Sequence, residues 1–292
     1  MPNKPLTRQY VLAHSALLPS FPRTISDILT SLDDPELSIK VLSHCINMDP
    51  IITARVLCVV NMASVRGRRD FEVSDVFTAI SLIGMRRVRE IALISSVGNF
   101  VDSLGADKLP VDFWLHCVAV AVCCEELVIH VDEPMSSDTA LTAGLLHDIG
   151  QLWLYGYNPQ AFRQCLHISQ QSKTPIEAVE RENFGVDHSV IGAWLAEHWG
   201  LPAHIVAAIR HHHAPQEGPD DSLVALVHVA EVLSNALDLA GRPSNRVTSI
   251  SAPACERLGL VWDDSIHTLF GRMEARSRHA NLFFASSHAA HQ

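Results

Sequence analysis

The 292-residue sequence has no CxxC pair among its seven cysteines, no apolar leader and no run of 18 uncharged apolar residues. Each lack removes a class of protein. Cys58, Cys117, Cys123 and Cys124 sit in apolar helical stretches, where a reduced thiol behaves as a small hydrophobe, and the odd cysteine count argues against a disulfide framework. The opening MPNKPLTRQYVLAH lacks the hydrophobic region of a secretory signal, so a cytoplasmic protein with no membrane contact is expected. Aromatics are scarce at 6%, which leaves Leu, Ile, Val and Ala to build the core. Net positive charge is also lacking. At a formal charge of -10 the chain is repelled by phosphate backbones and anionic lipid, so no nucleic-acid partner is expected. No run alternates with period two as a strand would.

What remains is helical. Hydrophobic residues make up 48% and charged residues 18%, the balance of a globular chain, and the length allows one large domain or two smaller ones. Asp34-Pro35 and Asp49-Pro50 each place a cap acceptor before a Pro suited to the first helical position. Ser74 is expected to cap DVFTAISLI, with Gly84 interrupting before MRRVREIALISSVGNF. Residues 101–110 read as a hinge between two helical halves. The second half opens with VDFWLHCVAVAVCCEELVIH, apolar nearly all round and so expected to be buried. TALTAGLLHDIG is predicted to stop at Gly150, and Thr174 to Glu177 to form a capping box. Asp187 caps HSVIGAWLAEHW, which ends at Gly200, and Pro202 starts AHIVAAIRHHH. SLVALVHVAEVLSNALDLA follows. Beyond residue 242 the pattern weakens into loops, short helices and a fraying end. Arg66, Arg68, Arg69, Arg86, Arg87 and Arg89 crowd into one region, read as a solvated face or a docking patch for an acidic partner.

Seventeen histidines supply the chemistry. His267, His279, His288 and His291 lie in the weak C-terminal region and read as solvent-facing. The informative set is His116, His147-Asp148, His188, the run His211-His212-His213, and His228 with Glu231, spread over five predicted helices. Imidazoles and carboxylates converging from a helix bundle suit first-row divalent metals such as Mn, Fe, Ni or Zn. If a helix ends at Gly150, Asp148 meets the negative end of its dipole, a conflict of roughly 0.3–1 kcal/mol that a cation or an Arg removes. His212 follows Ile205 and Ile209 on the apolar face of its helix. Each histidine alone is more simply a satisfied core or surface residue, but the ordered series points to a shared polar site.

The order His, HD within HDIG, a later His, then HH resembles the HD superfamily of metal-dependent phosphohydrolases. LPSFPRTISDILTSLDDPELSIKVLSHCINMDPIITARVLCVVNMA, AISLIGMRRVREIAL, GLLHDIG and ERENFGVDHSVIGAWLAEHWGLPAHIVAAIRHHHAP narrow the resemblance to HDOD domains, the HD-related output domains. That resemblance implies an all-α fold, with an N-terminal helical half (14–100) packed on an HD-like bundle (101–240) and a partly helical extension at 241–292. It implies a regulatory signalling protein, often bacterial, that acts through a partner protein. No receiver or DNA-binding domain is legible, so the input is expected from a separate protein. His116, His147, Asp148, His188 and His212 match positions that bind metal in catalytic relatives, and His213 completes the HH pair. Glu231 falls where those relatives carry Asp, and with Asn235 and Asp238 it could equally form a solvated helix face. The phosphodiesterases that cleave cyclic di-GMP carry HDxGK followed later by GYP, whereas this chain has HDIGQ, with Gln151 for Lys, and AP after its HH pair. These departures point away from efficient catalysis. The alternative is a metal-dependent phosphohydrolase of a nucleotide or phosphate ester, with Arg181 and Arg210 the nearest candidates to contact phosphate.

Overall fold

The computed structural model describes residues 5–15, 39–47, 52–53, 56–57, 59–61, 73–102, 111–240, 249–262 and 266–289, and the side chains of 95–102, 111–112, 114 and 279–289 fall outside that description. Asp34-Pro35, Asp49-Pro50, Arg66, Arg68, Arg69 and His291 lie outside these residues, as do the side chains of His279 and His288. The described residues contain helices and no strand, so the fold is all-α. No helix among them is long and apolar enough to cross a membrane. The chain divides into two compact units, residues 20–104, and residues 1–19 together with 105–292.

The smaller unit contains α2 (Ile39–Asn47), α3 (Val76–Ile83) and α4 (Met85–Asp102). Leu42, Ile46, Val76, Ala79, Ile80, Val88, Ala92 and Leu93 are among its buried apolar side chains. Asp75, not Ser74, caps α3. Its carboxylate accepts from Thr78 N at 2.7 Å and from the Thr78 hydroxyl at 2.7 Å, a stronger acceptor set than a lone serine hydroxyl provides. Gly84 separates α3 from α4 with φ +87°, a conformation that favours glycine. The Asn61 side chain accepts from Val73 N at 2.7 Å and donates to Val73 O at 2.9 Å. Of the described members of the basic cluster, Arg86 is exposed, Arg87 binds Glu90 at 2.5 Å, and Arg89 is buried.

The larger unit is built around α5 (Val111–Val128), where every residue from His116 to Leu127 is buried. Cys117, Cys123 and Cys124 are buried on this helix, and burial pushes the Cys124 thiol well up, so it acts as a small hydrophobe. α6 (Ser137–Leu146), α12 (Ser222–Ala236) and α14 (Ile266–Ala289) pack on α5. α6 comes close because Gly144 lacks a Cβ, which would lie 2.8 Å from Ala121 Cα and Cys124 Sγ. α7 (Ile149–Tyr157), α8 (Pro159–Ser172), α9 (Ile176–Phe184), α10 (His188–His198) and α11 (Ala203–His211) follow, and α1 (Arg8–Ala13) packs on α10.

Three local features depart from what the sequence pattern predicts. Gly150 does not stop a helix. It is the second residue of α7, and a Cβ there would lie 1.9 Å from His188 O and 2.7 Å from Gly192 N, so it is small because α7 and α10 touch backbone to backbone. The box at Thr174 is absent, since Pro175 is the cap position of α9 and makes no side-chain bond. Thr174 O instead accepts from Ser169 Oγ at 2.7 Å, tying down the end of α8 after Lys173 turns through φ +56°. The C-terminal segment also holds a longer helix than the short ones its sequence suggests. After α13 (Ala252–Arg257), α14 runs 24 residues and lays Leu269 and Met273 into the core. Arg272 donates to Glu126 at 2.8 Å, and Arg276 to Glu126 at 2.6 Å and also to Glu125. These two carboxylates on α5 are almost wholly buried, which explains why a polar-looking helix docks firmly.

Candidate metal centre

Asp148 is the hub. It stands between the C-terminus of α6 and the N-terminus of α7, so the dipole conflict with the first helix is balanced by the second. Although Asp148 occupies the cap position of α7, its carboxylate makes no capping bond and faces a group of imidazoles instead. Its Oδ1 lies 3.1 Å from His188 Nε2 and 3.7 Å from His212 Nε2. Its Oδ2 lies 3.5 Å from His147 Nε2 and 3.7 Å from His116 Nε2. His147, His188 and His212 are fully buried, and His116 and Asp148 are each 2% exposed.

Local backbone chemistry aims these rings. His147 Nδ1 donates to Gly144 O at 2.7 Å and His212 Nδ1 to Ile209 O at 2.8 Å. A carbonyl can only accept, so Nδ1 carries the hydrogen and a neutral ring turns its Nε2 lone pair inward. His188 is the first residue of α10, fixed there by Asp187, whose carboxylate accepts from Val190 N at 3.0 Å. The close contact at Gly150 brings this helix end against Asp148. His212 completes the apolar face formed by Ile205 and Ile209, as its spacing predicts.

The electrostatics are unusual. Burial disfavours ionised Asp148, yet His147, His188 and His116 hold its carboxyl well below the usual range. Burial and the neighbouring rings of His213 and His147 push His212 well down, towards the neutral form. Burial and His188 push His213 down to about 3. His188 goes the other way: against burial, Glu180 and Asp148 raise it well above an ordinary histidine.

All six residues nominated from the sequence fall in this one region. Two separate sets each have ligand atoms within 4.8 Å of one another, Asp148 with His188, His212 and His213, and His116 with His147 and Glu231. Glu231 is therefore not part of a solvated face. Its carboxylate lies 3.6 Å from His213 Nδ1, and these two side chains, 14% and 20% exposed, form the accessible edge. His213 Nε2 lies 2.8 Å from His188 Nε2. Two members of the informative set stay outside. His228 is a brace: its Nδ1 donates to His212 O at 2.8 Å, and its Nε2 accepts from Ser251 N at 3.1 Å. His211 lies against Gly218. Glu180 is the residue the sequence reading missed. Fully buried on α9, it accepts from His188 N at 2.9 Å and from His188 Nδ1 at 2.5 Å. The two arginines nominated for phosphate are engaged with carboxylates, Arg181 with Asp187, and Arg210 with Glu197 at 3.1 Å.

The donor set fits a divalent cation. His212 Nε2 is buried, has no hydrogen-bond partner and faces a carboxylate oxygen, so an acceptor lone pair looks at a second acceptor. A cation between them converts that repulsion into coordination, and mixed imidazole and carboxylate donors suit first-row metals.

Known proteins share this architecture. A protein from Shewanella amazonensis SB2B, provisionally named a phosphohydrolase, is 24% identical with a TM-score of 0.72 over 94% of this chain and 97% of its own. A Marinobacter aquaeolei VT8 protein, provisionally named a signal-transduction protein, is 22% identical with a TM-score of 0.73 over 96% of this chain and 61% of its own. At these identities the likeness is one of fold. An uncharacterized protein of Treponema pallidum (strain Nichols) is 22% identical over 224 residues, 76% of this chain, and the matched region spans only 43% of that relative's length. The HDOD domain family matches residues 18–215, more than half of the sequence, and the chain belongs to that family.

Proposed function

We propose that this chain is a regulatory HDOD module whose His–Asp cluster holds a divalent first-row metal, and that it signals through a partner protein without efficient catalysis. The observation that carries the metal reading is the buried, unpartnered His212 Nε2 facing the Asp148 carboxylate. His116, His147, Asp148, His188, His212 and Glu231 would hold the cation, with His213 completing its surroundings. A bound divalent ion supplies positive charge and lowers the pKa of a water ligand toward about 7. Asp148 contributes the charge that draws the cation in, and the carbonyl-anchored rings of His147 and His212 contribute pre-aimed neutral donors.

Two features argue against efficient phosphate chemistry. Gln151 is 8% exposed on α7 and carries no charge where catalytic relatives place Lys. Arg181 and Arg210 are each neutralised by a carboxylate, whereas a phosphate needs a guanidinium or ammonium aimed at it. The test is metal content per chain by elemental analysis, comparing wild type with a His147→Ala, Asp148→Ala variant, alongside turnover of a chromogenic phosphodiester. Near-stoichiometric metal in wild type, lost in the variant, with negligible turnover is the expected outcome. Metal-dependent turnover would establish a phosphohydrolase instead. A wild type that takes up no Mn, Fe, Ni or Zn would refute the metal reading outright.

A further inference from the structure

The imidazoles around Asp148 are not held alike. His147 and His212 each donate Nδ1–H to the carbonyl three residues earlier in the chain, a neutral acceptor. His228, the brace behind them, donates to a carbonyl as well. His188 is instead held by a carboxylate, that of Glu180.

Several features build this contact. Glu180 lies on the inner face of α9 beside buried Val179 and Phe184, and it is itself 0% exposed. Gly185 ends α9 at φ +75°, packed under Pro5, so the chain reverses and α10 begins at His188. Glu180 Oε2 then takes two hydrogens from one residue, the backbone N–H at 2.9 Å and Nδ1–H at 2.5 Å. The backbone bond satisfies one of the open amides at the start of α10, where negative charge is favoured. The ring bond fixes the rotation of the imidazole and commits Nε2 to the cluster, 3.1 Å from Asp148 Oδ1 and 2.8 Å from His213 Nε2. A carboxylate behind a ring also pushes electron density toward the opposite nitrogen, which a carbonyl does less. Burying a carboxylate is expensive, and its other oxygen, Oε1, has no hydrogen-bond partner. A helix start needs no such device, because Asp187 already caps it.

We infer that Glu180 is a positioning residue of the metal centre, making His188 its strongest imidazole donor. The inference rests on the proposed metal reading. It touches no metal and no substrate; it acts through His188. The test measures Zn(II) and Co(II) affinity of the full chain by competition with a chromophoric chelator, for wild type, Glu180→Gln and Glu180→Ala. Glu180→Gln keeps the shape and one acceptor oxygen but removes the charge. Affinity is expected to fall about ten- to hundredfold in Glu180→Gln and further in Glu180→Ala. The visible absorption bands of the Co(II) form should shift in Glu180→Gln, which a purely structural role would not produce. Unchanged affinity and an unchanged Co(II) spectrum in a folded Glu180→Gln variant would overturn the inference while leaving the metal reading standing. No uptake by wild type would overturn both. Should the variants not fold, imidazole 15N shifts of the metal-free wild type decide the matter: Nδ1 of His188 is expected to be protonated, and a deprotonated Nδ1 refutes the role.

Discussion

Adding one methyl group at Gly150 should damage this protein more than almost any other single-carbon change. An alanine Cβ at that position would sit 1.9 Å from His188 O, 2.7 Å from Gly192 N and 2.8 Å from His188 C. Ordinary van der Waals contact begins about 1.5 Å beyond the first of these distances, and every clashing atom is backbone of a buried helix rather than the tip of a side chain. Relief therefore requires α7 and α10 to separate. Overpacking costs about 1–3 kcal/mol when side chains can adjust, and a backbone clash belongs at or above the upper end, about 3 kcal/mol. The internal control is Gly271→Ala on α14, where a Cβ meets nothing within 4 Å. That change should stabilise by about 0.5–1 kcal/mol through helix propensity alone. Thermal unfolding of the two purified variants beside wild type gives the answer. We expect Tm to fall by roughly 5–10 °C for Gly150→Ala and to rise slightly for Gly271→Ala. Equal, small effects at both sites would mean that α7 and α10 are not in backbone contact, and the placement of His188 beside Asp148 would lose its support.

Arg276→Ala removes the guanidinium shared by Glu125 and Glu126, and a cost on the order of 3 kcal/mol with faster proteolysis of the C-terminal helix is expected. The same contact predicts acid sensitivity. Burial raises the Glu126 pKa, but Arg276 and Arg272 more than offset this and leave it below the usual glutamate value, so its stabilisation is complete above about pH 4.3 and is lost as pH falls through the lowered value. Glu126→Gln should flatten that limb of a Tm-against-pH curve, and an unchanged curve would count against the contact. In the smaller unit, Asn61→Ala deprives Val73 N and O of this partner and should destabilise by about 1–3 kcal/mol in urea unfolding, whereas a neutral result would count against the contact.

The helical class and the convergence of the histidines were legible because both depend on local pattern. Asp187 and Gly84 announce themselves by residue type, since caps and positive-φ turns admit few alternatives. The ring of His212 could be placed by its three- and seven-residue spacing from buried isoleucines. What escaped was the set by distant packing. Gly150 reads as a stop signal in one dimension, and only the approach of α10 reveals it as a contact point. Glu180 is one of four acidic residues within or beside α9, and nothing local distinguishes it from Glu177 or Glu182. The terminal helix looked weak because its docking depends on two glutamates some 150 positions earlier, which compensate arginines that would otherwise favour solvent.

The cluster draws its members from positions 116 to 231, across helices that must all be docked before any three imidazoles face one carboxylate. Closing so many long loops is costly in entropy, so these contacts belong to the late part of folding. No fragment of the unit can present the full donor set. A ligand that recognises it binds only the completed bundle and stabilises the whole of it by mass action. Occupancy of the cluster would then report that the larger unit is intact, and amide exchange in α5, α10 and α12 should slow together when it is filled.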